Sequence, residues 1–165
     1  MRRIFAITAA LGFAGGAVTF FASFFGLTLE KMGKWLFVLH GGTFLLVLAV
    51  ITIERAAIKS NVFFSKLFNL GKARWVVVGI RGLFVLFIIN FVLFLLLSRA
   101  ASPEIRNGQY VLDDHGKTVR PLTETEYLKL KGWEVRMFAS GWMCFYSVLG
   151  AYWWFPRTRA LILTQ

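Results

Sequence analysis

The sequence has few of the residues that are typical of soluble or secreted domains. Only 16% of its 165 residues are charged, against about 25% in an average soluble domain. A single cysteine excludes an internal disulfide and therefore a disulfide-rich module. Acids are the scarcer charge, with 8 Asp and Glu against 19 Lys and Arg and a formal net charge of +11. Because the basic residues flank long apolar runs, we expect them to meet anionic lipid headgroups, with no nucleic acid as partner.

The sequence also lacks the short motifs of the common enzyme classes. It contains no HExxH, GxSxG, GxxxxGK, GxGxxG or CxxC pattern. Its two histidines are His40 and His115, so bis-histidine haem ligation would need Met143 or another chain to complete it, and we predict no cofactor. Asp113 and Asp114 precede His115, but adjacent residues rarely converge on one metal ion, and we interpret them as turn formers. These absences favour a protein that is not an enzyme.

Four apolar runs predict an all-α membrane protein with four transmembrane helices. The predicted spans are residues 4–29, 35–53, 75–98 and 137–155. Their lengths match the roughly 20 residues that a helix needs to cross the hydrocarbon layer, and Arg81 is the one charge inside them. The first run is longer than the apolar part of a signal peptide, so we expect it to be retained. The whole chain, 1–165, is predicted to be one membrane domain.

The distribution of positive charge predicts the orientation. An even number of spans places both termini on one side, and the Lys and Arg totals on the two sides are equal. The short second loop, 54–74, carries five basic residues in 21, whereas the third loop, 99–136, spreads seven over 38 and nearly balances them with six acids. Since short basic loops favour the cytoplasmic side, we expect both termini in the cytoplasm.

The second loop has the pattern of a short amphipathic helix. Aromatic residues recur at helical spacing while lysines lie on another face, which is typical of a helix on a lipid surface. The candidate lipid-surface residues are Lys59, Phe63, Phe64, Lys66 and Phe68. A docking surface for a partner protein is the alternative.

The third loop predicts a short β-hairpin followed by a helix. Residues 109–112 and 117–120 alternate like strands around the turn formers 113–116. Thr123 and Glu126 have the spacing of a capping box, so a helix is expected to start there and continue into the fourth span. The candidate partner-contact residues of this loop are Tyr110, Asp113, Asp114, His115, Tyr127 and Trp133.

Three polar residues inside the predicted spans form a candidate intramembrane site: His40, Arg81 and Asn90. The structural interpretation is that Arg81 extends to the headgroups or pairs with Glu54, while Asn90 makes an interhelical hydrogen bond. The functional interpretation is a path for a substrate or proton through all three.

Small residues recur in the first span. Gly12 and Gly16 form a GxxxG pair, which lets helix backbones approach closely in a membrane. We interpret the pair as packing inside the bundle, with a face for another subunit as the alternative.

One part of the sequence resembles a known family. The matching segments are 110–116, 122–124, 126–127, 142–143 and 145–146. They resemble small, uncharacterised multi-span proteins of bacterial membranes, in which a similar hairpin leads into the last helix. The resemblance covers about a third of the chain. It implies no activity and no functional residues, but it indicates the hairpin and helix as the place for a partner site.

Two functions of different kind follow from these patterns. The first is a non-enzymatic accessory, scaffold or assembly subunit of a larger membrane complex, with other membrane protein subunits as partners. The alternative is a small oligomeric transporter or channel that uses Arg81, Asn90 and His40. The chain lacks the internal repeat and interrupted helices that are typical of transporters, which favours the subunit.

Overall fold

The computed structural model describes residues 2–53 and 74–154. In chain order the elements are α1 (Arg2–Ala22), α2 (Leu29–Met32), α3 (Lys34–Ile53), α4 (Arg74–Ser98), β1 (Ser102–Arg106), β2 (Gln109–Asp114), β3 (Lys117–Pro121) and α5 (Glu124–Trp154). A 3-10 turn, Ser23–Phe25, continues α1. The candidate lipid-surface residues Lys59, Phe63, Phe64, Lys66 and Phe68 lie outside the described residues.

Three helices are long and apolar enough to cross a membrane: Arg2–Phe25, α3 and α4. They correspond to the first three predicted spans. The first ends earlier than the predicted residue 29, because Gly26 adopts a left-handed conformation (φ 83°) that stops the helix. The fourth predicted span belongs to α5, which is not among the three, since the Trp, Tyr, Ser and Gly residues of its uncharged second half lower the mean hydropathy there.

Helix α5 lies at the centre of the bundle. Helix α1 packs along it on one side and α4 on another, while α3 touches both α1 and α5. Helices α3 and α4 barely meet each other. Sixteen of the 31 residues of α5 are buried, against three of 25 in α4. The least apolar long helix is therefore the most enclosed.

Small residues allow α1 and α5 to approach closely. The Tyr146 ring occupies the space that a Cβ atom on Gly12 would need, and its hydroxyl does the same at Gly42. The Tyr146 hydroxyl donates to the Leu39 carbonyl of α3 at 2.7 Å. Gly16 likewise faces the side chains and backbone of α5. The interpretation of the GxxxG pair as packing within the bundle is confirmed.

The third loop contains a three-stranded antiparallel sheet in the order β1-β2-β3, so the expected two-stranded hairpin was incomplete. The missed strand β1 begins with Ser102 and Pro103, and an edge strand tolerates this proline. Asn107 and Gly108 connect β1 to β2 with positive φ angles of 51° and 76°. Asn-Gly is a strong signal for a two-residue hairpin turn, and the sequence analysis overlooked it.

The second hairpin is tighter than predicted. Strand β2 ends at Asp114 and strand β3 begins at Lys117, so the turn consists of His115 and Gly116 alone. Both residues have positive φ angles, of 50° and 92°. A register shift between Leu112 and Asp113 interrupts the regular pairing of β2 with β3.

The sheet packs on the first turns of α5. The shared core consists of Ala101, Leu112, Leu122, Tyr127 and Leu130. At the start of α5, the Thr123 hydroxyl accepts a hydrogen bond from the Glu126 amide at 3.2 Å, and the Glu126 carboxylate accepts one from the Thr123 amide at 2.9 Å. This is the expected capping box, and α5 then runs without a break to Trp154.

Candidate functional site

The three candidate intramembrane polar residues lie in different surroundings. His40 accepts a hydrogen bond at Nδ1 from the Trp142 indole at 3.1 Å. Asn90 is buried and donates to the Leu86 carbonyl of its own helix at 2.8 Å. Arg81 is exposed on α4, and its alternative partner Glu54 lies outside the described residues. Within residues 2–53 and 74–154, no hydrogen bond or ion pair joins the three.

His40 opens onto a pocket between helices that we call the His40 groove. It has a volume of about 360 Å³ and lies where α3 and α4 diverge over α5. Most of its wall is aromatic, formed by Phe44, Phe87, Phe91, Phe138, Trp142 and Phe145. The polar side chains of the wall are His40, Thr43 and the Trp142 indole. The groove therefore suits a largely apolar molecule.

The contact with Trp142 determines which nitrogen of His40 carries hydrogen. The two rings meet edge to face, with centroids 5.4 Å apart and planes at 88°. An indole N–H can only donate, so Nδ1 must be the acceptor and the neutral imidazole carries its hydrogen on Nε2. No described residue accepts a hydrogen bond from Nε2. Thr43 donates to the Leu39 carbonyl of its own helix at 3.0 Å.

A buried ion cluster joins α2 to α5, and the sequence analysis missed it. The Lys131 ammonium lies 2.6 Å from the Glu30 carboxylate and 3.0 Å from that of Glu134. The side chain of Lys131 is 8% exposed and that of Glu134 13%, whereas that of Glu30 is 55% exposed. The Lys131 and Glu134 spacing was visible in the sequence, but nothing there indicated that Glu30 would join them.

The pKa values of the two acids in this cluster shift in opposite directions, because the two side chains differ in exposure. Burial raises the pKa of Glu134, and the nearby Lys131 charge does not overcome that effect. Burial also acts on Glu30, but the hydrogen bond from Lys131 and further hydrogen bonds leave the pKa of Glu30 lowered. Burial alone would lower the pKa of Lys131, yet its two acidic partners raise it. The lysine is therefore held in its charged form between the acids.

One turn further along α5, Arg136 stacks between aromatic rings. Its guanidinium carbon lies 4.0 Å from the Trp133 ring centroid and 4.7 Å from that of Phe24. Its Nε donates to the Gly132 carbonyl at 3.0 Å. Trp133, a candidate partner-contact residue, is thus engaged in holding α5 against the end of the first membrane-length helix.

The remaining candidate partner-contact residues divide into internal and exposed ones. The rings of Tyr110 and Tyr127 pack on each other, with centroids 4.8 Å apart. Asp113 is buried and pairs with Arg106 at 2.7 Å. Asp114 and His115 are exposed at the tip of the β2–β3 hairpin, and the hydrogen bond that the Asp114 carboxylate accepts from the His115 ring raises the pKa of His115.

The hairpin tip is held firmly although its side chains are exposed. The Arg106 guanidinium donates to the Gly116 carbonyl at 2.9 Å, and Asp113 accepts from the Gly116 amide at 2.8 Å.

In the part of the chain that the structure describes, no group of three or more His, Cys, Asp or Glu side chains could hold a metal ion. No protein-family model, curated protein or solved structure matches this chain.

Proposed function

We propose that the chain is a four-span protein of the bacterial inner membrane and a non-enzymatic accessory, scaffold or assembly subunit of a larger membrane complex. Both termini lie in the cytoplasm in this proposal, and the basic second loop faces anionic lipid headgroups. The partners are other membrane protein subunits. The observation that carries the proposal is the rigid sheet on the first turns of α5, which presents an exposed, ordered hairpin tip.

The fourth span is the second half of α5. Residues 137–154 contain no charged side chain and extend over about 27 Å by helical rise, close to the thickness of the hydrocarbon layer. Helix α1 packs along α5, so a membrane crossed by α1 also contains that half of α5. Tyr152, Trp153 and Trp154 at its end are typical of a membrane interface.

The sheet and the first turns of α5 also present exposed apolar side chains to a partner. Three apolar side chains outside the predicted spans are exposed: Ile105 at 59%, Val119 at 47% and Leu128 at 45%. Asp114 and His115 add charge and hydrogen-bonding groups at the hairpin tip. Because the tip is already ordered by Arg106, binding there would cost little conformational entropy.

Gentle extraction followed by native mass determination tests the proposal. We expect partners to travel with the chain in a fixed ratio, and recovery of a lone monomer would count against a subunit. Ile105→Lys should reduce the recovery of partners, because it places a charge in an apolar contact. Thr118→Lys adds the same charge at an exposed position of the same sheet and is the matched control.

The transporter alternative receives no support from the described contacts. It needs Arg81, Asn90 and His40 to share a path, and each has separate surroundings. A flux assay with Arg81→Ala and Asn90→Leu would still be informative, since loss of flux in correctly folded variants would favour that alternative.

A further inference from the structure

We propose that the His40 groove binds a quinone-class lipid, that is, a planar ring bearing carbonyl groups on an apolar tail. This goes beyond the role as a subunit, and it rests on the proposed placement of α3 in a membrane. The proposal rests on the shape of the groove, on the hydrogen-bond donor within it and on the depth of that donor in the membrane.

The groove has the size and the wall of a small-molecule site. Its volume of about 360 Å³ falls within the range of about 300–1,000 Å³ that ligand pockets occupy. Phe87 and Phe91 come from α4, and Phe138 and Trp142 from α5. Aromatic walls on several sides favour a flat ring, which packs face or edge onto such side chains. The groove is partly open to the outside, so a tail can leave it along the helices.

The groove contains one hydrogen-bond donor that no described residue uses. Trp142 fixes the hydrogen of neutral His40 on Nε2, and no described acceptor reaches it. An unpaired N–H in an apolar environment is unfavourable, so a ligand acceptor at this point would be favoured. A ring carbonyl is such an acceptor and needs no charge.

The depth of His40 favours a quinone over a phospholipid as the ligand. His40 lies six residues inside α3, which is about 9 Å by helical rise, and Trp35 near the start of α3 is typical of the interface. Phospholipid ester carbonyls lie at the interface, outside the hydrocarbon layer. An acyl chain at the depth of His40 has no acceptor to offer, whereas the head of a quinone does.

The test is binding of decylubiquinone to the full-length protein in mild detergent, with decylbenzene as a ring-and-tail ligand that has no hydrogen-bond acceptor. We expect saturable binding of the quinone and at least tenfold weaker binding of decylbenzene. His40→Phe should weaken quinone binding about tenfold, the loss of one hydrogen bond in an apolar site. His40→Gln should bind within about threefold of the wild type, because an amide can accept from Trp142 and donate to the ligand. His115→Gln, at the exposed hairpin tip, is the matched control.

A second pair of variants tests the shape of the groove while leaving His40 and Trp142 intact. Thr43→Leu adds bulk to the wall and should abolish quinone binding. Thr52→Leu makes the same change at an exposed position of α3, where the hydroxyl has the same kind of intrahelical hydrogen bond. Unchanged binding in both His40→Phe and Thr43→Leu would overturn the proposal. So would the absence of quinone binding when organic extraction of the purified protein yields phospholipid alone.

Discussion

Replacing Lys131 by Met removes the cation of the buried cluster and leaves Glu30 and Glu134 without a counter-charge. The side chain of Glu30 is more than half exposed, so water compensates most of the lost interaction with Lys131. Glu134 is 13% exposed and is left as an uncompensated buried charge. Breaking a buried ion pair costs about 3–5 kcal/mol. We expect the lower end, about 3 kcal/mol at neutral pH, because one of the two acids is solvated.

The pH dependence gives the same prediction a second signature. The pKa of Glu134 is already raised by burial, and removal of Lys131 raises it further. A raised pKa in the folded state means that protonation favours folding, so the penalty of Lys131→Met should shrink as the pH falls from 8 towards 5. For Glu30 in the wild type the pH dependence is reversed, because its pKa is lowered in the folded state. Ionised Glu30 stabilises the fold at pH values above its unfolded pKa of 4.5, and this contribution is lost as the pH falls through the folded pKa.

The assay is unfolding of the purified protein by SDS in mixed micelles, followed by circular dichroism. Lys129→Met changes an exposed lysine two residues away on the same helix and should alter the free energy of unfolding by less than about 0.5 kcal/mol. Adding Glu134→Gln to Lys131→Met removes the orphaned charge and should restore most of the loss. Equal effects of the Lys129 and Lys131 variants would refute the reasoning.

Three further predictions follow from other contacts. Gly12→Ala should destabilise the bundle by about 1–3 kcal/mol, because the new Cβ meets the Tyr146 ring, whereas Gly79→Ala meets open space and should be neutral or stabilising in the same SDS assay. Thr123→Ala should cost about 1 kcal/mol through loss of the α5 cap, measured by amide exchange in the first turn. Asn107→Cys should react with a membrane-impermeant thiol reagent added from the periplasmic side, and labelling only after the membrane is breached would reverse the proposed orientation.

The parts of the fold that the sequence predicted correctly depend on local signals. The long apolar runs located the three membrane-length helices, and the Thr123 and Glu126 spacing located the start of α5. Strand β1 was missed because its five residues include Pro103 and one large apolar side chain, too little for an alternating pattern. The Asn107-Gly108 turn was the signal that could have found it.

The candidate sites were harder to predict because they depend on contacts between distant segments. Nothing near Glu30 in the sequence indicates Lys131, and nothing near His40 indicates Trp142. The structural interpretation of the sequence was that Asn90 makes an interhelical hydrogen bond. Instead Asn90 donates to a carbonyl of its own helix, so its polarity is compensated without a partner helix.

If the proposed spans lie in a membrane, the physics of lipid accounts for the central position of α5. Water drives the most apolar segments inward in a soluble protein, but lipid is as apolar as the side chains and supplies no such force. The helix that is least suited to lipid then becomes the one that its neighbours enclose, and α5 brings Ser140 and Gly141 into the interior. Small residues there bring α1 close on one side, while on the other α3 and α4 diverge over the aromatic rings of α5. The same helix therefore supports the sheet with its first turns and forms one wall of the His40 groove further along, so a ligand in the groove and a partner on the sheet would both contact one rigid element.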